Sequence, residues 1–159
     1  MATWQIYFPF LTCEVTCGAA GLDIADRQNA HSMTLAVRGI VDLVKRENKL
    51  HRKIVAFSIS HHHRTARIYG HYPLIYGNET KFYRHPIDEV WFAAPHGKAK
   101  WTPYKFTKNV FDIWMPTHLK RICSVIHKFP TDLGFEVSQQ SEAGEYGLSQ
   151  GLEGHSLSG

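Results

Sequence analysis

The chain of 159 residues contains three cysteines, Cys13, Cys17 and Cys123. An odd, scattered set builds neither an even disulfide framework nor paired CxxC knuckles, so a reducing intracellular compartment is expected and no structural zinc finger. No run of about 18 apolar residues is present, which argues against a membrane span. The opening MATWQIYFPFLTCEV lacks a basic leading segment, so no secretory signal is expected either. There is no internal repeat, which excludes solenoid and propeller architectures. Basic residues are missing where Glu136, Glu142, Glu145 and Glu153 fall. Residues 1–135 therefore hold all 18 Lys and Arg against 10 acidic residues, a net +8 concealed by the overall +4. A body of that charge is compatible with a nucleic-acid or phosphate partner, and the eleven histidines will raise it further in mild acid.

What is present suits one globular domain. Hydrophobic residues make up 43% of the chain, enough to bury a core. We assign this domain to residues 1–137 and expect residues 138–159, dominated by Gln, Ser, Glu and Gly without periodicity, to be a disordered tail.

Residues 5–16 are aromatic and β-branched and read as a strand, central because both faces are largely apolar. Alternation puts Phe10, Thr12, Glu14 and Thr16 on one face and Leu11, Cys13 and Val15 on the other. Gly18 and Gly21 end this strand. Asp23 then opens a helix reaching about Asn48, with Met33, Val37, Ile40, Val41 and Val44 as its apolar stripe. Gln28 falls roughly opposite that stripe. Asp26 and Arg27, one turn in, read as an acid complementing the helix dipole and a solvated base. Residues 53–60 and 65–76 read as strands. Gly77-Asn78 turns the chain into a shorter strand, 81–85, that Pro86 ends, with an edge strand near residues 90–92. After a basic loop, Thr102-Pro103 begins a second long helix with Thr102 as its cap. Tyr104, Phe111, Met115, Leu119, Ile122 and Ile126 form what reads as its core face, and Pro116 is expected to kink or divide it. The fold class expected is α/β or α+β: a mixed sheet of four to five strands flanked by two long helices, with a parallel crossover at its start.

Three patterns carry possible chemistry. Glu14 is a carboxylate in a strand, which costs several kcal/mol unless a metal, a cation such as Arg27 or a lysine, or hydrogen-bond donors receive it. His61, His62 and His63 lie in a turn and cannot all aim at one tetrahedral centre without help from His71 or His85, so solvated imidazoles are the expectation. Lys98, Lys100, Lys105, Lys108, Lys120, Arg121 and Lys128, interleaved with Trp101 and Tyr104, could line a phosphate-contacting surface or be an ordinary solvated helix face.

Residues 8–17 and 25–38, SISHHHR at 58–64, RIYGHYP at 67–73, FYRHP at 82–86 and YKFTKNVFDIWMPTHLKRI at 104–122 together resemble an uncharacterised fungal domain family. That family is in turn similar to the PD-(D/E)xK nucleases, of restriction-endonuclease-like fold. The resemblance spans about residues 7–140 and implies that Glu14 stands at the acidic, metal-binding position, Thr16 at the lysine position and Gln28 at the helical glutamine position. It also implies Mg2+ or Mn2+ as cofactor if the site retains a metal, and DNA or RNA as partner. Two departures follow from the sequence. Thr16 lacks the charge and reach of lysine, and residues 1–13 contain no acidic residue to serve as the leading Asp. The expected reading is a degenerate module that binds nucleic acid without cleaving it, resembling the C-terminal portion of a larger domain. A non-catalytic protein-interaction module is the alternative.

Overall fold

The computed structural model describes residues 8–17, 21–44, 50–93 and 95–128, with Pro95, His96 and Lys98 described by their backbone. The tail expected at 138–159 lies outside the described residues. Four strands, β1 (Leu11–Val15), β2 (Ala56–His61), β3 (Thr65–Tyr76) and β4 (Glu79–Trp91), form one sheet in the order β1-β2-β3-β4. β1 is parallel to β2, and the remaining pairs are antiparallel. Helix α1 (Leu22–Val44) makes the parallel crossover. A 3-10 turn (Pro95–Trp101) then leads into α2 (Thr102–Asn109), a π-helical segment (Val110–Trp114) and α3 (Met115–Ile126). The architecture is the mixed α/β sheet that the sequence predicts. Among the described residues no helix is long and apolar enough to cross a membrane.

Two apolar cores sandwich the sheet. On one side Met33, Val37, Ile40 and Val41 of α1 pack with Val55 and Ala56, joined by Val125 of α3. On the other, Ile59, Ala66 and Ile68 gather Leu11, Phe92 and Phe106. Phe57 meets Phe106 and Trp114 edge-on at 5.4 and 4.9 Å, so the C-terminal helices cover this second face.

Four expectations need correction. Among the described residues β1 stands at an edge of the sheet, not at its centre: an apolar, β-branched composition marks a strand but says nothing about lateral neighbours, and Cys13 and Val15 on the face away from α1 are exposed. Pro86 does not end a strand. β4 runs through it because an edge strand loses no ladder bond to a missing N–H, and a bulge opposite Ile68 and Tyr69 absorbs the irregularity. Thr102 is not the cap of α2; Trp101 occupies that position without a side-chain cap. Pro116 does not divide the helix. The Met115 N–H bonds back to the Val110 carbonyl, five residues away, and this widened turn lies immediately before the proline ring that would crowd a tighter one.

Candidate functional site

The face of the sheet beneath α1 is polar at its centre. Strand alternation aligns Thr12, Ser58, Ser60, Arg67, Tyr69 and His71 toward the helix. Asn29, fully buried on α1, accepts from the Thr12 hydroxyl at 2.7 Å and donates to the Ile59 carbonyl at 3.0 Å and the Ser60 hydroxyl at 2.8 Å. One side chain thus ties α1 to β1 and β2. Ser58 and His71 share a buried 2.8 Å hydrogen bond, and burial, followed by the charge of Arg84, pushes the His71 pKa down to about 4.

One helical turn away, Asp26 is buried and makes the equivalent link to β3. Its Oδ2 accepts from Arg67 Nη1 at 2.8 Å and from the Tyr69 hydroxyl at 3.3 Å, while Oδ1 is buried without a partner. Arg67 also reaches Glu89 through Nε at 3.1 Å. Arg84 donates to the Asp26 carbonyl oxygen at 3.0 Å and lies 4.5 Å from the Tyr69 ring centroid. The hydrogen bond that Arg67 donates to Asp26 leads in holding the guanidinium charged; burial and then the Asp26 charge push the Tyr69 phenol up. An open pocket of about 290 Å3 lies beside this cluster, lined by Arg67, Tyr69, Pro86, Ile87, Asp88 and Glu89. Asp26 is therefore an ion-pairing anchor and not the dipole-complementing surface acid read from sequence. Arg27 does remain on the surface, paired with Asp23 at 3.1 Å.

Glu14 sits half-buried on β1, beside Ser60 in the ladder, and Arg27 pairs with Asp23 on the surface instead of with it. Thr16 is buried with its hydroxyl unpartnered, and Gln28 is exposed on α1. Among the described residues no three His, Cys, Asp or Glu side chains gather to hold a metal ion, and the carboxylate of Asp26 is committed to Arg67. The described residues thus present no three-ligand Mg2+ or Mn2+ site at Glu14. The histidines are dispersed too: His62 Nδ1 accepts from the Thr65 N–H at 3.0 Å, fastening the β2–β3 turn, while His71 is bonded to Ser58 inside the sheet face.

The second locus is the outer surface of α2. Trp101, Tyr104, Lys105 and Lys108 follow the i, i+3, i+4, i+7 spacing that shares one helix face. All are exposed, Trp101 at 56% and Tyr104 at 63%. Tyr104 is thus not the core residue its periodicity suggests; Phe106 and Val110 face inward in its place. The Trp101 and Tyr104 rings meet edge to face at 6.2 Å, and the Lys100 ammonium lies 5.4 Å from the Trp101 centroid. Lys108 is held by Asp112 one turn on. Lys120 is exposed and Arg121 half-buried, further along on α3. The side chain of Lys98 lies outside the described residues.

The comparison with known families bears on residues 1–126, which match the model of a domain of unknown function, DUF7924. The chain belongs to that family. Its matched region contains both loci, from the start of β1 to the end of α3. Neither a curated protein nor a solved structure matches the chain.

Proposed function

We propose that this DUF7924 domain binds single-stranded nucleic acid through the outer face of α2 and does not cleave it. The carrying observation is the exposed Trp101–Tyr104 pair with Lys100, Lys105 and Lys108 around it. Aromatic faces stack on bases of any identity, and adjacent ammonium groups neutralise the phosphates between them. Lys100 and Lys105 carry most of that neutralisation, since Asp112 already offsets Lys108.

In this reading the domain is a degenerate relative of the PD-(D/E)xK nucleases, of the fungal family its motifs resemble. β1, α1 and β2 supply the parallel crossover on which such a site would be built, with Glu14 remaining at the acidic position. The absence of a three-ligand metal group among the described residues, burial of Thr16 and commitment of Asp26 to Arg67 all favour binding without hydrolysis. A second reading, a protein-interaction module, is favoured by the exposed apolar residues Phe111, Ile113 and Leu119 of the C-terminal helices.

Incubating the chain with end-labelled single-stranded DNA and RNA, with Mg2+ or Mn2+ added, tests the reading. A gel-shifted, full-length strand is expected. Cleavage that disappears in Glu14→Ala would contradict the non-cleaving half of the proposal, and absence of a shift at low salt would contradict the binding half.

A further inference from the structure

The sheet has two lateral edges, and they are built differently. β4 is a blunted edge: Pro86 lacks a donor, the bulge breaks the ladder, and Lys81, Arg84, Asp88 and Glu89 are charged. β1 has none of these protections over Leu11–Val15, and its one charged residue, Glu14, belongs to the face beneath α1.

The hydrogen-bond parity of β1 is fixed by its neighbour. The Phe57 N–H donates to the Phe10 carbonyl at 2.8 Å and the Thr16 N–H donates to the His61 carbonyl at 3.0 Å, so even-numbered residues direct their backbone groups at β2. Leu11, Cys13 and Val15 consequently direct three N–H and three C=O groups away from the sheet, where no described strand receives them. Cys13 is exposed and Val15 is 54% exposed. Phe10, at the entrance to β1, carries the apolar surface onto Phe111 at 5.4 Å, and Phe111 is itself 46% exposed.

We propose that this edge is occupied by a second copy of the chain, the two β1 strands pairing antiparallel about a two-fold axis at Cys13. In that register Leu11 opposes the second copy's Val15, and Cys13 opposes its counterpart. All three are the residues whose backbone groups face outward, so the Leu11–Val15 and Cys13–Cys13 pairs each exchange both their N–H···O bonds. Thr12 falls opposite Glu14, so the two carboxylates are never directly across from one another, where like charges destabilise. Each exposed Val15 is carried to the end of the second copy's β1 where Leu11, Phe10 and Phe111 lie. An isologous contact of this kind closes after two subunits and joins two four-stranded sheets into one. The pairing uses a different surface from α2 and does not depend on nucleic-acid binding.

The register brings the Cys13 α-carbons to about 5.5 Å, the spacing of a hydrogen-bonded antiparallel pair and within the ~4.4–6.8 Å that a disulfide spans. Sedimentation equilibrium of the full chain under reducing conditions should therefore give a dimer. Mild oxidation with diamide should trap it through a Cys13–Cys13 disulfide, identified by mass spectrometry of the linked peptide. Val15→Lys, at an exposed position, should leave the far-UV circular dichroism unchanged and yield a monomer. A monomeric natural chain, or a dimer cross-linked only through Cys17 or Cys123, overturns the proposal, as does a dimer that survives Val15→Lys. Because trapping is read on the natural sequence, the proposal stays testable even if the variant folds poorly.

Discussion

Asp26 of α1 and Arg67 of β3 meet at 2.8 Å beneath the helix, a buried carboxylate received by a guanidinium that Glu89 holds from the other side. The pair fixes the N-terminal half of α1 over the sheet while Asn29 fixes the next turn. Arg67→Met should lower stability by about 2 kcal/mol, below the ~3–5 kcal/mol of a fully buried pair, because the Arg67 side chain is 34% exposed. Chemical denaturation measures this. Asp26→Asn in the same chain should recover part of the loss, since it removes the uncompensated charge.

Asn29 closes three hydrogen bonds with no solvent access. Asn29→Leu should cost about 2–3 kcal/mol, because it strands the Ser60 and Thr12 hydroxyls beneath the helix and removes the second hydrogen bond to the Ile59 carbonyl. Loss of the β1 contact should appear as faster exchange of the Thr12 and Glu14 amides, which face β2, before the rest of the sheet opens.

The buried histidines set an acid limit. His71 and His118 both have pKa values lowered to about 4, principally by burial, against about 6.5 in an unfolded chain. The unfolded state therefore binds more protons between those values, and stability falls as pH drops from about 6.5 toward 4. Denaturation midpoints measured across that window should decline, each histidine contributing on the order of 2 kcal/mol.

His118 stacks on Trp114 at 4.3 Å and is buried with both ring nitrogens unpartnered. Replacing it with an apolar ring removes an unsatisfied polar group at little cost in shape. His118→Phe should accordingly match or exceed the natural chain in stability near neutral pH, and should flatten part of the acid decline.

The pattern of strands, the α1 stripe and the parallel crossover were legible because side-chain periodicity reports which faces are covered. Lateral position was not: β1 carries apolar residues on both faces whether it is central or at an edge. Arg67, Tyr69 and His71 alternate along one strand, a signal available in the sequence, but it does not show that Asp26 waits above them. Asp26 at the start of a helix is also where a surface acid belongs. Tyr104 failed differently. It shares a helical face with Phe111 as the spacing implies, but that face is exposed, at 63% and 46%: periodicity groups residues on one face without showing whether another layer covers it. Resemblance alone singles out Glu14, Thr16 and Gln28, and their surroundings, one half-buried, one buried and one exposed, depend on packing.

Binding of a labelled single strand to the outer face of α2, followed by fluorescence anisotropy across a salt titration, tests the central claim most directly. The natural chain should bind with a log K that falls linearly with log salt, and Lys105→Ala should reduce that slope by about 0.7, one phosphate contact on a single strand. Trp101→Ala with Tyr104→Ala should weaken binding at least ~10-fold, from about 1–3 kcal/mol per stacked base, without changing the slope. Undiminished binding by the aromatic double variant, or no binding by the natural chain at low salt, would contradict the account.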